Sequence, residues 1–339
     1  MLIEREMYES CFYGFTLTDC VVRNRNILYF VASHEAQAAA AGPTQQRTVD
    51  KRIIVCFLDE PMEKRWSRQN LKGYARLHAG VSLQPLEQFV GVDADGDVYV
   101  VGGGAAGAEQ KIPEDKAGPL RGDVTRLRLI QESLYLVGGF HSVCRRSGRN
   151  SWENLCANLP VPKDKETFKE AMTSMNFKDI DGFAADDLYA VAGQGNLWHY
   201  DGSSWQAVAF PSNMYLESIC CAGDGSVYIG AQSGTVFKGR DNRWTLLHKG
   251  DLSLPFNDMV WHAGKVWCGN DYGLWWIDEG SVIKPDLPAE IAVCAGNLSV
   301  ADGILLMAGT NGAAYHDGEQ WVHIFDALQM EEQVQAAQG

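Results

Sequence analysis

The chain has 339 residues, among them 35 glycines and 10 tryptophans, and its formal net charge at pH 7 is −14. This length suits one large domain or two smaller ones, and such a glycine-rich, tryptophan-rich composition is typical of all-β proteins. The negative charge argues against nucleic acid as a partner, because nucleic-acid affinity comes mostly from lysine and arginine. It favours a partner protein that is basic.

Neither the first residues nor any later stretch indicates a membrane or an export signal. The stretch at 1–17 carries charges among its apolar residues, and no apolar run approaches the roughly 18 residues of a membrane span. The nine cysteines are an odd number and include no C-x-x-C pair. We therefore expect reduced thiols, a cytoplasmic location and no contact with a membrane.

In the N-terminal half, the runs "ILYFVASHE" and "RIIVCFLDEPMEKRW" read as one strand-rich unit that an insertion at 36–50 interrupts. The insertion contains "AQAAAAGPTQQ", which is small and polar, and we expect it to be an exposed, mobile hairpin extension. A second insertion at 162–178 has Phe168, Ala171, Met172 and Met175 at helical spacing. This spacing predicts a short amphipathic helix whose apolar face packs down on the domain.

The stretch 98–110, "VYVVGGGAAGAEQ", contains the spacing G-x-G-x-x-G of a dinucleotide-binding loop. That interpretation requires a long helix after the glycines, and Pro113 allows at most two turns. The alternative is a turn between the second and third strands of a repeated unit, where glycine adopts positive φ without steric cost. The sequence favours the turn, so we expect no cofactor.

The C-terminal half repeats with a fixed period. Corresponding glycines stand at Gly195, Gly234, Gly273 and Gly312, which are 39 residues apart. Each unit reads as four short strands separated by Gly, Asn, Asp or Ser turns, and four antiparallel strands in about 40 residues describe one propeller blade.

The same template extends to the N-terminal half and gives seven units. Their opening strands are marked by Leu28, Val98, Leu134, Leu188, Val227, Val266 and Leu305. We therefore predict an all-β fold, a seven-bladed β-propeller of four-stranded antiparallel blades with about 39 residues per blade. Residues 1–325 would form this single domain, and 326–339 would form a tail that is a frayed helix or disordered. The ring could close through a strand from "MLIEREMYES" or by end-to-end packing.

The units resemble the WD-like, YVTN-like and Kelch-like β-propeller repeats, in a divergent bacterial form. Gly138 and Gly139 after "SLYLV", followed by Trp152, are most similar to Kelch repeats. The resemblance covers roughly 14–325, but most units lack a double glycine and no unit ends in Trp-Asp. It implies the fold and carries over no catalytic, metal-binding or cofactor-binding residue.

Acidic and histidine residues give little support for catalysis. The acids Asp201, Asp241, Asp278 and Asp317 recur in register with the repeat, which indicates turns held by Asx hydrogen bonds. No two histidines have the H-x-H or H-x-x-x-H spacing of a local metal site.

The remaining candidates lie on turns and blade connections, where propellers commonly bind their ligands. Aromatic, amide and acidic residues there have the composition of a protein-binding patch. The predicted partner-binding residues are Phe140, His141, Gln194, Tyr215, Phe256, Asn257, Asp271, Tyr272 and Asn311.

Two functions stay open at this point. The first is a non-enzymatic, monomeric, protein-binding propeller; the resemblance implies, as one concrete role, an immunity protein that occludes the active site of a basic bacterial toxin. The second is a propeller enzyme, such as a glycosidase, lyase or lactonase, with carboxylates or a metal at the channel mouth. The recurrence of the acids favours the first.

Overall fold

The computed structural model describes residues 1–162 and 165–338, and their strands form seven four-stranded antiparallel sheets, each in chain order. The predicted seven-bladed β-propeller is confirmed. Blade 1 comprises β1 (Phe15–Asn24), β2 (Ile27–His34), β3 (Lys51–Phe57) and β4 (Trp66–Leu71). Blade 2 comprises β5 (Leu77–Ser82), β6 (Gln88–Asp93), β7 (Val98–Gly102) and β8 (Ala105–Ala108). Blade 3 comprises β9 (Val124–Ile130), β10 (Ser133–Gly138), β11 (Ser142–Gly148) and β12 (Ser151–Asn154).

The other four blades carry the clearest sequence repeat. Blade 4 comprises β13 (Phe177–Ala184), β14 (Asp187–Ala192), β15 (Leu197–Tyr200) and β16 (Trp205–Val208). Blade 5 comprises β17 (Leu216–Cys221), β18 (Val227–Ala231), β19 (Thr235–Arg240) and β20 (Arg243–His248). Blade 6 comprises β21 (Asp258–His262), β22 (Lys265–Asn270), β23 (Gly273–Asp278) and β24 (Ser281–Ile283). Blade 7 comprises β25 (Asn297–Ala301), β26 (Ile304–Gly309), β27 (Gly312–His316) and β28 (Trp321–Asp326).

Short helices stand between the blades and near both ends of the chain. The α-helices are α1 (Arg5–Cys11), α2 (Glu35–Ala40), α3 (Lys165–Ser174), α4 (Ala289–Ala292) and α5 (Ala327–Gln338). Single 3₁₀ turns span Pro43–Thr48, Met62–Lys64, Gly139–His141 and Gln232–Gly234. Within residues 1–162 and 165–338, no helix combines the length and apolar character that crossing a membrane requires.

Hairpin turns follow the chemistry that the acids predict. The carboxylate of Asp201 accepts from the backbone N–H of Ser203 and Ser204 at 2.9 and 2.8 Å. The carboxylate of Asp317 accepts in the same way from the N–H groups two and three residues further along. These hydrogen bonds, with that from the Ser203 hydroxyl first, lower the pKa of Asp201 to about 2. Asp201 and Asp317 are thus confirmed as turn-forming residues.

The chain divides into two compact units. One contains Met1–Ala79, Gly269–Trp276 and Ile283–Gly339, and its core includes residues of α1, α5 and the inner strands of blades 1 and 7. The other contains Gly80–Cys268 and Ile277–Val282, and its core includes the buried Tyr135, Phe177 and Tyr189.

In the first unit, the two ends of the chain are held together by helices. The backbone N–H of Leu2 donates to the carbonyl of Ile324 at 2.8 Å. The ring of Phe12, just after α1, lies 4.6 Å from the ring of Phe325, and Met330 and Val334 of α5 are buried. All four strands of blade 7 come from the C-terminal part of the chain, so the N-terminal segment contributes no strand to it.

The glycine-rich stretch at 98–110 is a turn, but at another place in its blade than predicted. β7 and β8 pair across it, and Gly103 and Gly104 have φ of 59° and 80°. The turn joins the third and fourth strands of blade 2, which corrects the expected position between the second and third. The reason is that β6, whose six residues are all buried, supplies a second strand that the repeat pattern did not reveal.

Both insertions and the tail are helical. The insertion at 36–50 contains α2 and the 3₁₀ turn Pro43–Thr48 in place of the expected hairpin extension, because its alanine run has high helix propensity. The insertion at 162–178 contains the predicted helix, α3, although residues 163 and 164 lie outside the described residues. The tail forms α5, and residue 339 lies outside the described residues.

Candidate partner-binding surface

The first strands of blades 3, 4 and 6 carry a buried network of charges. Arg128 on β9 donates to Asp179 on β13 over 2.6 Å, and Arg126 on β9 lies 2.8 Å from Asp258 on β21. The two carboxylate side chains are inaccessible, with exposures of 0% and 1%. Burial by itself lowers the pKa of Arg128, but attraction to the aspartates outweighs it and raises the pKa above its ordinary value. The network therefore holds its arginine charged and links strands far apart in the sequence.

Two carboxylates of β13 also join blade 4 to blade 5. Asp179 accepts from the backbone N–H of Ile180 at 2.9 Å and of Ile219 at 3.1 Å. Asp181 accepts from the N–H of Cys221 at 2.7 Å. Burial raises the pKa of Asp181 to about 6, although a neighbouring arginine opposes the shift. Carboxylates that are bonded to arginine and to backbone N–H groups act as a scaffold between blades.

Sequence reasoning missed this network, although a signal was present. The strands "VTRLRLI" and "FKDIDGF" carry Arg and Asp on alternate residues, where the repeat requires a buried strand. Charges at period two in such a strand indicate that they meet opposite charges in the interior, because unpaired buried charges are too costly. The pattern could not name the partners, since Asp258 is 130 residues from Arg128.

Three of the predicted surface residues lie on neighbouring turns of the second unit. Phe140 is half-buried in the turn between β10 and β11, and Gln194 and Tyr215 are exposed on blades 4 and 5. The carbonyl of Tyr215 accepts from the N–H of Gln232 at 2.9 Å, which fixes its loop against blade 5.

α3 is anchored among these turns. The N–H of His141 donates to the carbonyl of Met175 at 2.6 Å, and the rings of Phe140 and Phe168 lie 5.1 Å apart. A Cβ at Gly193 would lie 2.6 Å from the carbonyl of Thr173 and 3.1 Å from the ring of Tyr215. Only glycine permits this close approach of blade 4 to the helix.

Two predicted residues are buried, which corrects the expectation that they face a partner. Phe256 has no exposed surface, and His141 is 2% exposed. His141 packs on the rings of Phe177 and Trp198, and its Nδ1 lies 3.0 Å from the carbonyl of Pro160. Burial lowers the pKa of His141 to about 4. Both residues lie in loops, but their side chains turn inward: His141 packs on core rings, and the carbonyl of Phe256 accepts from the Ser218 hydroxyl at 2.8 Å.

The remaining predicted residues have separate surroundings. Asn257 is half-buried, and its carbonyl accepts from Arg126 at 2.7 Å. In the first unit, Asp271 and Tyr272 are exposed in the turn between β22 and β23, and the exposed Asn311 accepts through its carbonyl from the N–H of Ala327 at 2.9 Å. The structure therefore places Phe140, Gln194 and Tyr215 on neighbouring turns, whereas the other predicted residues are buried or lie on other turns.

The helix α3 exposes apolar side chains that the sequence predicted to be packed. Phe168 is 47% exposed and Met172 is 57% exposed, whereas Ala171 is buried. A short side chain at 171 lets the helix sit close to the turns, and its larger neighbours then point to solvent. We define the helix patch as Phe140, Phe168, Met172 and Tyr215. Aromatic residues and methionine are enriched in protein interfaces, so the patch can bind an apolar protein surface.

Fold and surface together define this chain as a seven-bladed β-propeller. Its structure is similar to the WD40 propeller domain of Doa1 (TM-score 0.58, 12% identity, covering 88% of this chain and 91% of that chain). It is also similar to YCF48 bound to D1 peptide (TM-score 0.56, 13% identity, covering 92% and 94%). PorZ of Porphyromonas gingivalis has a TM-score of 0.56 at 13% identity, with 92% of this chain and 38% of that chain covered.

Sequence comparison goes beyond the fold. No protein-family model matches the chain. The immune protein Tsi7 of Pseudomonas aeruginosa is 31% identical over 246 residues, which are 73% of this chain and 78% of Tsi7. The chain belongs to the family of the immune protein Tsi7.

Proposed function

We propose that this chain is an immunity protein that binds a bacterial toxin and neutralises it by occluding the toxin's active site. The observation that carries the proposal is its membership of the Tsi7 family. A propeller also suits the role, because it presents loops from several blades as one binding surface on a rigid scaffold.

In this proposal the chain acts by binding and catalyses no reaction. The enzyme alternative requires unpaired carboxylates that converge on one place. The inner carboxylates Asp179, Asp181 and Asp258 instead contact arginines or backbone N–H groups. Their bonding supports a scaffold, so we do not retain the enzyme alternative.

The proposed partner is a basic toxin, and the proposed place of action is the cytoplasm, where the chain acts as a monomer. A formal charge of −14 attracts a basic protein and speeds their encounter. The nine cysteines, all within the described residues, are free thiols, which supports a reducing compartment.

A selection for growth tests the proposal. Fragments of the source genome are expressed in a host with and without this chain, and clones that grow only with the chain encode the candidate toxin. The toxin and this chain are then purified, and their affinity is measured by calorimetry. We expect calorimetry to show a complex of one toxin and one chain, and surface plasmon resonance to show an association rate constant that falls by about tenfold from low to physiological salt. If no clone depends on the chain, or if the purified proteins do not bind, the proposal is wrong.

A further inference from the structure

We propose that the toxin docks on the helix patch, with Phe168 and Met172 of α3 inserted into an apolar cleft and Phe140 and Tyr215 at its border. This inference rests on the proposed function and adds the surface that performs it. The partner it requires is a basic protein that offers a concave apolar site.

The first step of the argument is that α3 stands out from the second unit. Of its residues whose side chains are described, 167–174, only Ala171 is fully buried, and the four at 167–170 are all exposed. A surface helix ordinarily buries a continuous apolar stripe against the core. Here the two largest apolar side chains, Phe168 and Met172, are about half exposed. The helix therefore presents apolar surface outward.

The second step is that the exposed groups are neighbours and are held in place. The ring centroids of Phe140 and Phe168 lie 5.1 Å apart. The Thr173 carbonyl and the Tyr215 ring both lie close to Gly193, where an added Cβ would contact each of them. Phe140 itself has φ of 53°, a backbone conformation that non-glycine residues seldom adopt and that the surrounding turn must hold. Scattered apolar residues on a surface need no explanation, whereas a preorganised cluster marks an interaction site.

The third step identifies the occupant. A second copy of this chain is disfavoured, because two molecules that each carry a charge of −14 repel each other. A small molecule would require a concave pocket, and a helix with four successive exposed residues is a convex surface. A basic protein with an apolar cleft meets both conditions, and insertion of a convex helix into such a cleft would block access to it.

Two variants of the patch and one matched control test the assignment. Phe168→Ala removes an anchor, and Met172→Glu places a charge on the exposed face of α3 one helical turn away. The control is Leu328→Glu, which changes an equally apolar side chain on α5 that is 66% exposed. All three positions are exposed, so circular dichroism and thermal unfolding should match the unchanged chain. The probe is the purified toxin that the growth selection identifies, and association and dissociation rates are measured by surface plasmon resonance.

We expect each patch variant to bind about 30-fold more weakly or worse, mainly through faster dissociation, and to lose protection in the growth assay. The control should bind within about twofold of the unchanged chain. If both patch variants bind within about twofold, the assignment of the patch is wrong while the proposed function stands. If the unchanged chain neither binds nor protects, the function itself is wrong and the patch assignment falls with it.

Discussion

Asp179 provides the sharpest test of how the blades are held together. Its carboxylate bonds to Arg128 on blade 3 and to the backbone N–H of Ile219 on blade 5, and it has no exposed surface. In Asp179→Ala, Arg128 keeps its charge but loses its 2.6 Å partner, and is left with the carboxylate of Asp258 at 3.8 Å and the attraction of Asp181. Breaking a buried ion pair from one side costs about 3–5 kcal/mol of folding free energy.

The expected change in melting temperature follows from the size of the chain. An unfolding entropy of about 2.1 cal/mol/K per residue gives about 0.7 kcal/mol/K for this chain. A loss of about 3–5 kcal/mol should therefore lower the melting temperature by about 4–7 °C. Calorimetry and urea unfolding followed by tryptophan fluorescence measure the two quantities independently.

Asp224→Ala is the control for this experiment. Asp224 pairs with Lys238 at 3.1 Å, but both side chains are about one-third exposed, so the expected cost is below about 1 kcal/mol. A double variant, Asp179→Ala with Arg128→Met, should be less destabilised than the sum of its single changes, since it removes both charges. The reasoning is refuted if Asp179→Ala costs no more than Asp224→Ala.

Three further outcomes are expected. The pKa of Asp181 is raised from 3.8 to about 6 in the folded chain, so its contribution to stability is greatest below about pH 4 and is lost as pH rises through 6. The stability of Asp181→Asn relative to the unchanged chain should therefore rise by up to about 3 kcal/mol between pH 4 and 7. Urea unfolding across this range would contradict this if the difference stays constant. Gly193→Ala should cost about 1–3 kcal/mol and weaken toxin binding by displacing α3, which calorimetry and binding measurements test together. Met330→Ala should lower the free energy of unfolding by about 2–5 kcal/mol, because the side chain is 1% exposed. Leu328→Ala, at an exposed position on the same helix, should change it by less than about 0.5 kcal/mol in thermal unfolding. Equal effects would show that α5 packing does not stabilise the first unit.

The blades were predictable because each is a local unit. Turn residues such as Asp201 and Gly195 recur in blades 4 to 7, and the strands between them are short and apolar. Blade 2 shows the limit of this approach. Six of the seven residues that mark opening strands lie in the second strand of their blade, whereas Val98 lies in the third, because β6 has no turn signature in register with the others.

The surface was predictable only in part. Gln194 and Tyr215 are exposed as their turns indicate, whereas Phe256 and His141 are buried, because a single aromatic residue near a strand end does not reveal which way it points. The exposure of Phe168 and Met172 could not be deduced from helical spacing, which gives the apolar stripe of α3 but not what lies beneath it. The alternating charges of β9 and β13 signal a buried network, but its partners could not be named from the sequence, since they come together only in the folded chain.

The backbone hydrogen bond between Leu2 and Ile324, which links the two ends of the chain, has a consequence for biosynthesis. α1 is synthesised before blade 7, and the ring of Phe325 that packs on Phe12 emerges from the ribosome more than 300 residues after it. At about 5–20 residues per second, the apolar side of this helix waits about 15–60 s for its partner. During that interval Phe12 has its partners Phe30 and Trp66 in blade 1, whereas a chain cut short before blade 7 lacks the ring of Phe325 that completes this cluster.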